Sequence, residues 1–197
     1  MRIAVVAHHS RRKMAEALCE RVGADSLIVD TESRGSLWGH RQALAVAEAV
    51  EVNGERTWIL EDDAVAPADF RERAEAVGEQ CPGILVSGYL GRLRPPQYQA
   101  EIKTRLGHPA ARRDGVIMLP QLIHGVCYSV PVGDVARVVR SMRPGPADFS
   151  VGDAWGGRVA YCVPSLVDHA DGPSVEKHPD KQPRAKGRTA WVPPEGI

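Results

Sequence analysis

The four cysteines, Cys19, Cys81, Cys127 and Cys162, are scattered and form no CxxC pair. That spacing excludes a compact zinc site or a disulfide framework and predicts reduced, mostly buried thiols. Long hydrophobic runs are also missing: no apolar stretch approaches the roughly 20 residues that cross a bilayer. The opening run Met1–Ala7 is too short for the core of a signal peptide. There is no excess of charge, because 25 Lys and Arg balance 25 Asp and Glu. A zero balance leaves no electrostatic footprint for a nucleic acid or a membrane surface. Neither GxGxxG nor GxxxxGK[ST] occurs, which argues against a dinucleotide site or a P-loop. What is present is an ordinary globular mixture of 197 residues, 43% hydrophobic and 25% charged. It is enough for one domain with a tail, and it reads as a cytoplasmic protein. Its richness in Ala, Arg, Val and Gly fits a high-GC bacterium or its phage.

The chain is organised around Thr57–Val65, where a short apolar run, Trp58-Ile59-Leu60, leads straight into Glu61-Asp62-Asp63. The run has strand character. Strand alternation would put Glu61 and Asp63 on one face, with Asp62 on the other. Two carboxylates about 7 Å apart repel unless a cation or donors lie between them. A hard divalent ion carrying phosphates would relieve that repulsion. A solvated acidic turn before a helix is the plainer alternative.

Elsewhere the pattern alternates. Ile3–Ala7 predicts a strand covered on both faces. Ser10 is a candidate cap for a helix through Met14, Ala17, Leu18 and Val22, ended by Gly23. Ser26–Asp30 predicts a second strand and Leu37–Val50 a helix with Leu44, Ala47 and Ala49 among its apolar positions; Asn53-Gly54 is a turn. A helix follows from Pro67 and Asp69 to about Val77, and Ile84–Tyr89 is a fourth strand. This βα alternation predicts an α/β fold with a mostly parallel sheet, and ligands of such sheets bind at the carboxyl edge. Arg92–Arg113, rich in Arg and Pro, reads as a long loop. Val116–Leu119 and His124–Val130 predict strands and Val132–Met142 a helix. Asp153 could start a short helix inside Asp148–Arg158, before a strand at Val159–Val163. The domain then spans residues 1–171, and 172–197 is a Pro, Gly and basic tail, extended or partly disordered.

Four local features carry chemistry: Glu61-Asp62-Asp63 at a strand end, Gly35–His40 at a helix start, Val151–Trp155, and Val163–His169, a strand followed by a histidine. Together they resemble the GT-A class of glycosyltransferases, nearest to the family 25 type of lipopolysaccharide and lipooligosaccharide biosynthesis and to short bacterial or phage relatives. The resemblance covers about Arg2–Ser174 and is strong only at the motifs. It implies a GT-A-like, Rossmann-like fold and a metal-dependent transferase of hexosyltransferase type. Such an enzyme takes a nucleotide-sugar donor, most simply a UDP-sugar, and a glycan, lipid-linked or protein acceptor. The acidic triplet matches the DXD motif, although it begins with Glu. The resemblance implies that Asp63 ligates Mn2+ (or Mg2+) and that Glu61 reaches the ribose or a metal-bound water. Of the usual residues before the triplet, Gly39-His40 is present and the expected Cys and Ser are not. His169, with His178 as a second candidate, would complete the metal site.

An inverting transfer needs a carboxylate to accept the acceptor hydroxyl's proton. Asp153 is the first candidate, Asp148 and Asp168 follow, and a helix-capping role is the alternative for Asp153. Trp155 could wall the acceptor or sit in the core. Donor contacts are expected from Ala7, His8, His9 and Arg11 (or Arg12), with Asp30 or Glu32 and His40, alongside Glu61 and Asp62. In the tail, His178, Lys181, Arg184, Lys186 and Arg188 could fold over a diphosphate or simply be solvated. Using the same acids, a nucleotidyltransferase, a metal phosphohydrolase or a non-catalytic nucleotide- or glycan-binding protein are the other readings.

Overall fold

The computed structural model describes residues 1–50, 54–173, 175 and 187–197. Asn53, His178, Lys181, Arg184 and Lys186 lie outside the described residues. The chain begins with β1 (Arg2–His8), a single 3-10 turn (His9–Arg11), α1 (Arg12–Val22), β2 (Ser26–Asp30), α2 (Ser36–Val50) and β3 (Thr57–Glu61). It continues through β4 (Ala64–Val65), α3 (Phe70–Gln80), β5 (Leu85–Ser87), α4 (Pro96–Gly107), α5 (Pro109–Asp114), β6 (Val116–Leu119) and β7 (Cys127–Ser129). It closes with α6 (Val135–Ser141), α7 (Ala147–Trp155), β8 (Val159–Cys162) and β9 (Asp168–His169).

Seven strands form one sheet in the order β2-β1-β3-β7-β5-β8-β6, and β4 and β9 form a separate two-stranded ladder. β7 runs antiparallel to both its neighbours, β3 and β5, and β6 runs antiparallel to β8. The other neighbouring strands are parallel. The fold is therefore α/β, a mostly parallel, Rossmann-like sheet flanked by helices. Alternation along each strand divides the core in two. Ala4, Val6 and Ile59 join the cluster under α2, α6 and α7. Ile3, Val5, Trp58 and Leu60 join the cluster that includes Ala15 and Leu18 of α1 and Phe70 of α3. Strands sandwiched this way carry apolar residues on both faces, which explains the continuous run Ile3–Ala7.

Several local expectations are corrected. Ser10 does not cap α1: it lies in the 3-10 turn, where its amide donates to His8 Nδ1, and α1 starts at Arg12. The buried stripe of α1 is Ala15, Leu18 and Val22, while Met14 and Ala17 face solvent. Gly23 does end the helix, in the left-handed conformation favoured at that position. Ala49 is exposed, and Ala43 takes its place beside Leu44 and Ala47. Arg92–Arg113 is mostly helical, since Pro96 and Pro109 occupy the first positions of α4 and α5. Proline is favoured there because that amide has no intrahelical partner. α7 starts at Ala147, so Asp153 lies near its end instead of at its start.

Residues 187–197 come back onto the domain. Gly91 and Ala190 form an antiparallel bridge, and the Trp191 amide donates to the Leu90 carbonyl at 2.8 Å. The Trp191 indole donates to Gln99 Oε1 at 2.9 Å. Among the described residues no helix is long and apolar enough to cross a membrane.

Candidate functional site

The carboxyl ends of β1, β2 and β3 lie side by side, with His8 opposite Asp30 and Val6 opposite Glu61. β3 stops at Glu61, so Asp62 and Asp63 belong to a turn and not to a strand. The expected alternation therefore fails: both aspartates converge on Arg11, whereas Glu61 turns toward His40. Arg11 Nη1 donates to Asp62 Oδ1 at 2.9 Å and to Asp63 Oδ2 at 2.6 Å. The His8 amide donates to Asp62 Oδ2 at 3.0 Å. The β4–β9 ladder sets Ala64 opposite His169, and the Ala170 amide donates to the Asp63 carbonyl. These bonds bring His169 Nε2 to 3.3 Å from Asp63 Oδ2.

Burial alone would raise the pKa of Asp63. The His169 hydrogen bond, the His169 charge and the Arg11 guanidinium outweigh it and hold that carboxyl below its ordinary value. For Asp62 burial prevails over Arg11 and the His8 amide, and its pKa is raised. Asp63 Oδ1 and His169 Nδ1 are buried with no hydrogen-bond partner among the described residues. An orphaned carboxylate oxygen is costly unless a donor or cation reaches it.

A second group lies beside the first. His40, fully buried, hydrogen-bonds through Nε2 with Glu61 Oε1 at 3.0 Å and through Nδ1 with the Tyr128 hydroxyl at 3.0 Å. Asp148 stands in the first turn of α7, where its Oδ1 accepts from the Phe149 amide at 2.8 Å. Burial, joined by the charge of Glu61, pushes its carboxyl up to about 6 against the pull of that amide and of His40. On the far side of β3, antiparallel β7 presents its leading residues to the same edge, with the Glu61 amide donating to the Val126 carbonyl at 2.9 Å. His124 enters here: its Nε2 accepts from the Gly91 amide at 3.0 Å, and its ring centroid lies 5.1 Å from that of Tyr89. Burial, with the nearby His169 charge, lowers its pKa to about 3.

These groups line one cleft of about 830 Å3, within the range of small-molecule sites. Ala7, His8, Arg11, Asp30, His40, Glu61, Asp62, Asp63 and His169 all reach it, so most of the candidates drawn from sequence come together. Asp30, however, spends its carboxylate on the amides of Glu32 and Gly35, at 3.2 and 2.7 Å, and builds the loop after β2. His9 is exposed on the 3-10 turn and does not line the cleft.

Asp153 and Trp155 do not line the cleft either. Because α7 starts at Ala147, the first-turn position falls to Asp148, and Asp153 is exposed more than a turn away. Gln121 Nε2 donates to Asp153 Oδ1 at 2.6 Å. Trp155 donates to the Arg158 carbonyl at 3.0 Å and lies under the Arg137 guanidinium. Tyr89, Arg92, Arg94 and His124 line the cleft without a sequence motif that marks them, and Arg188, named in the tail, lines it as well. No sequence pattern marks His124, and the close approach at Gly125, whose Cβ would lie 2.8 Å from Glu61 Oε1, is visible only in the fold.

Among the described residues no three His, Cys, Asp or Glu side chains are grouped to enclose a metal ion. Asp63 Oδ2 is taken up by Arg11 and His169 Nε2, which leaves Asp63 Oδ1 as the oxygen without a partner among the described residues. A carboxylate oxygen of this kind is the donor type that a hard divalent ion takes, its shell otherwise finished by substrate oxygens and water. No protein-family model matches the chain, and no curated protein matches it significantly.

Proposed function

We propose that the chain is a metal-dependent glycosyltransferase that moves a sugar from a nucleotide-sugar donor to an acceptor hydroxyl with inversion, in the cytoplasm. The observation that carries this reading is the pairing of Asp63, with its partnerless oxygen, and His169 at the carboxyl edge of a mostly parallel sheet. Ligands of open α/β sheets gather at that edge. Asp63 and His169 would hold Mn2+ or Mg2+, which would offset charge on the departing diphosphate. Arg11 keeps Asp63 ionised and offers a second cation at the same place.

Asp148 replaces Asp153 as the proposed base. It faces the cleft, and a carboxyl near pKa 6 is ionised at neutral pH while remaining basic enough to accept a proton. As the acceptor oxygen bonds to the anomeric carbon, its proton passes to Asp148 and the bond to the diphosphate breaks.

Thermal unfolding with UDP or GDP, with and without Mn2+, is the test. At a hundred times the dissociation constant, a ligand stabilises by about 2.7 kcal/mol. For a chain of this size that corresponds to roughly 5–10 °C. Manganese-dependent protection by a nucleotide, together with slow release of free sugar from a nucleotide sugar, is expected. If neither nucleotide protects, the reading fails. A non-catalytic binding protein is the second reading, favoured by Arg11, which already pairs with both aspartates where a metal would sit. Protection without sugar release or transfer would select it.

A further inference from the structure

We propose that His124 is a specificity-determining residue that donates a hydrogen bond, through Nδ1–H, to a neutral oxygen of the sugar bound in the cleft. The inference rests on the glycosyltransferase reading and names a contact within it. Five observations support it. The Gly91 amide donates to Nε2 at 3.0 Å, so Nε2 is an acceptor and the ring proton of the neutral imidazole sits on Nδ1. Burial favours the neutral ring, so this tautomer persists at neutral pH. Nδ1 is buried with no partner among the described residues, although His124 lines the cleft, and a buried donor without an acceptor is disfavoured.

The ring is also fixed in place. Tyr89 packs against it, and a Cβ on Gly91 would lie 2.6 Å from Nε2, so only glycine lets the backbone approach this closely. Finally, His124 leads into β7, across β3 from the β1 and β2 loops where the donor's nucleotide is expected, so the sugar end of the donor is the part that reaches it. A sugar hydroxyl can accept from His124 Nδ1–H, so a neutral hydroxylated group fits.

Two-bond proton–nitrogen NMR of the histidine rings, at one neutral pH, tests the proposal. The free protein should carry the His124 proton on Nδ1. Titration with UDP, UDP-glucose, UDP-galactose, UDP-N-acetylglucosamine and GDP-mannose, each with Mg2+, follows His169 and His124 together. His169 should respond to both nucleotide and nucleotide sugar, and His124 Nδ1 to a nucleotide sugar alone. A proton found on Nε2, or a His169 response without a sugar-dependent His124 response, overturns this inference and leaves the transferase reading standing. Silence of both rings toward every compound overturns both. His124→Gln retains an acceptor for the Gly91 amide and lacks the δ donor. It should bind UDP normally and lose about tenfold in affinity for the nucleotide sugar. His124→Asn, whose amide can occupy the δ position, should recover most of that loss. Unchanged nucleotide-sugar affinity in His124→Gln overturns the proposal.

Discussion

Asp63 and Asp148 shift in opposite directions, and that separates their roles. The Asp63 carboxyl lies below its ordinary value, so the unfolded chain binds its proton more readily than the folded one. Its stabilising contribution is present above the ordinary carboxylate range and is lost as pH falls through the lowered value. Asp148 does the reverse: the folded protein holds its proton up to about pH 6, so stability falls as pH rises from about 4 to 6. Asp148→Asn should therefore be more stable than the parent at pH 7.5, by at most about 3 kcal/mol for a shift of about two pKa units, and equal to it below pH 4. The same variant should lose transfer activity and keep nucleotide binding. In the parent, kcat/KM should fall tenfold per unit below about pH 6. Melting temperatures and initial rates across pH 3.5–8 check both. Asp63→Asn should instead lose metal-dependent nucleotide protection and flatten the acid limb of the stability profile. The triplet was legible in sequence because an apolar run ended in three acids. Which acid faces which partner was not, because β3 stops at Glu61 and the turn overrides alternation.

At the scale of elements, the parallel strands were legible because Ile3–Ala7, Ser26–Asp30 and Thr57–Glu61 are separated by helical spacing. α4 and α5 were not, since each buries only one residue, Ile102 and Ala111. With so narrow an apolar stripe, Pro and Arg dominated the reading, although Pro96 and Pro109 were start signals and Glu101–Arg105 is an i,i+4 pair. The antiparallel sense of β7 was also hidden, because strand direction depends on which neighbours a segment finds. That direction is what brings His124 and Gly125 to the cleft. Gly125→Ala tests the consequence: its Cβ would lie 2.8 Å from Glu61 Oε1 and 3.2 Å from His40 Cε1. Glu61 must then move and give up His40, so a crystal structure should contain a broken Glu61–His40 bond. Nucleotide affinity should fall several-fold while the melting temperature drops by a few degrees, the cost of about 1–2 kcal/mol of local repacking.

Taken whole, the molecule ties its C-terminal segment to its cleft. The composition after Asp171 suggested an extended or partly disordered tail, and of its described residues Thr189–Val192 bonds to Leu90, Arg92 and Ser165. The sequence concealed this because one bridge and a few backbone bonds leave no periodic pattern. The segment reaches cleft-lining residues directly: Tyr89 donates to the Arg188 carbonyl at 2.9 Å, and Arg92 Nη2 to the Trp191 carbonyl at 3.0 Å. The Arg92 guanidinium also lies 5.5 Å from the Trp191 ring centroid. Trp191→Ala removes the indole bond to Gln99 and the packing against the core cluster. A half-buried tryptophan lost in this way should cost about 2–3 kcal/mol, or roughly 5–10 °C. Deleting residues 187–197 should cost at least as much and should also weaken nucleotide-sugar binding, because Tyr89 and Arg92 lose their anchors and Asp168, beside His169, loses the Ala190 amide. Calorimetry of the point variant and the truncation, each with and without UDP-glucose and Mn2+, separates the two effects. If the truncated protein melts as the parent does and is protected equally by the ligand, the segment is merely resting on the surface, and Tyr89 and Arg92 are held by the domain alone.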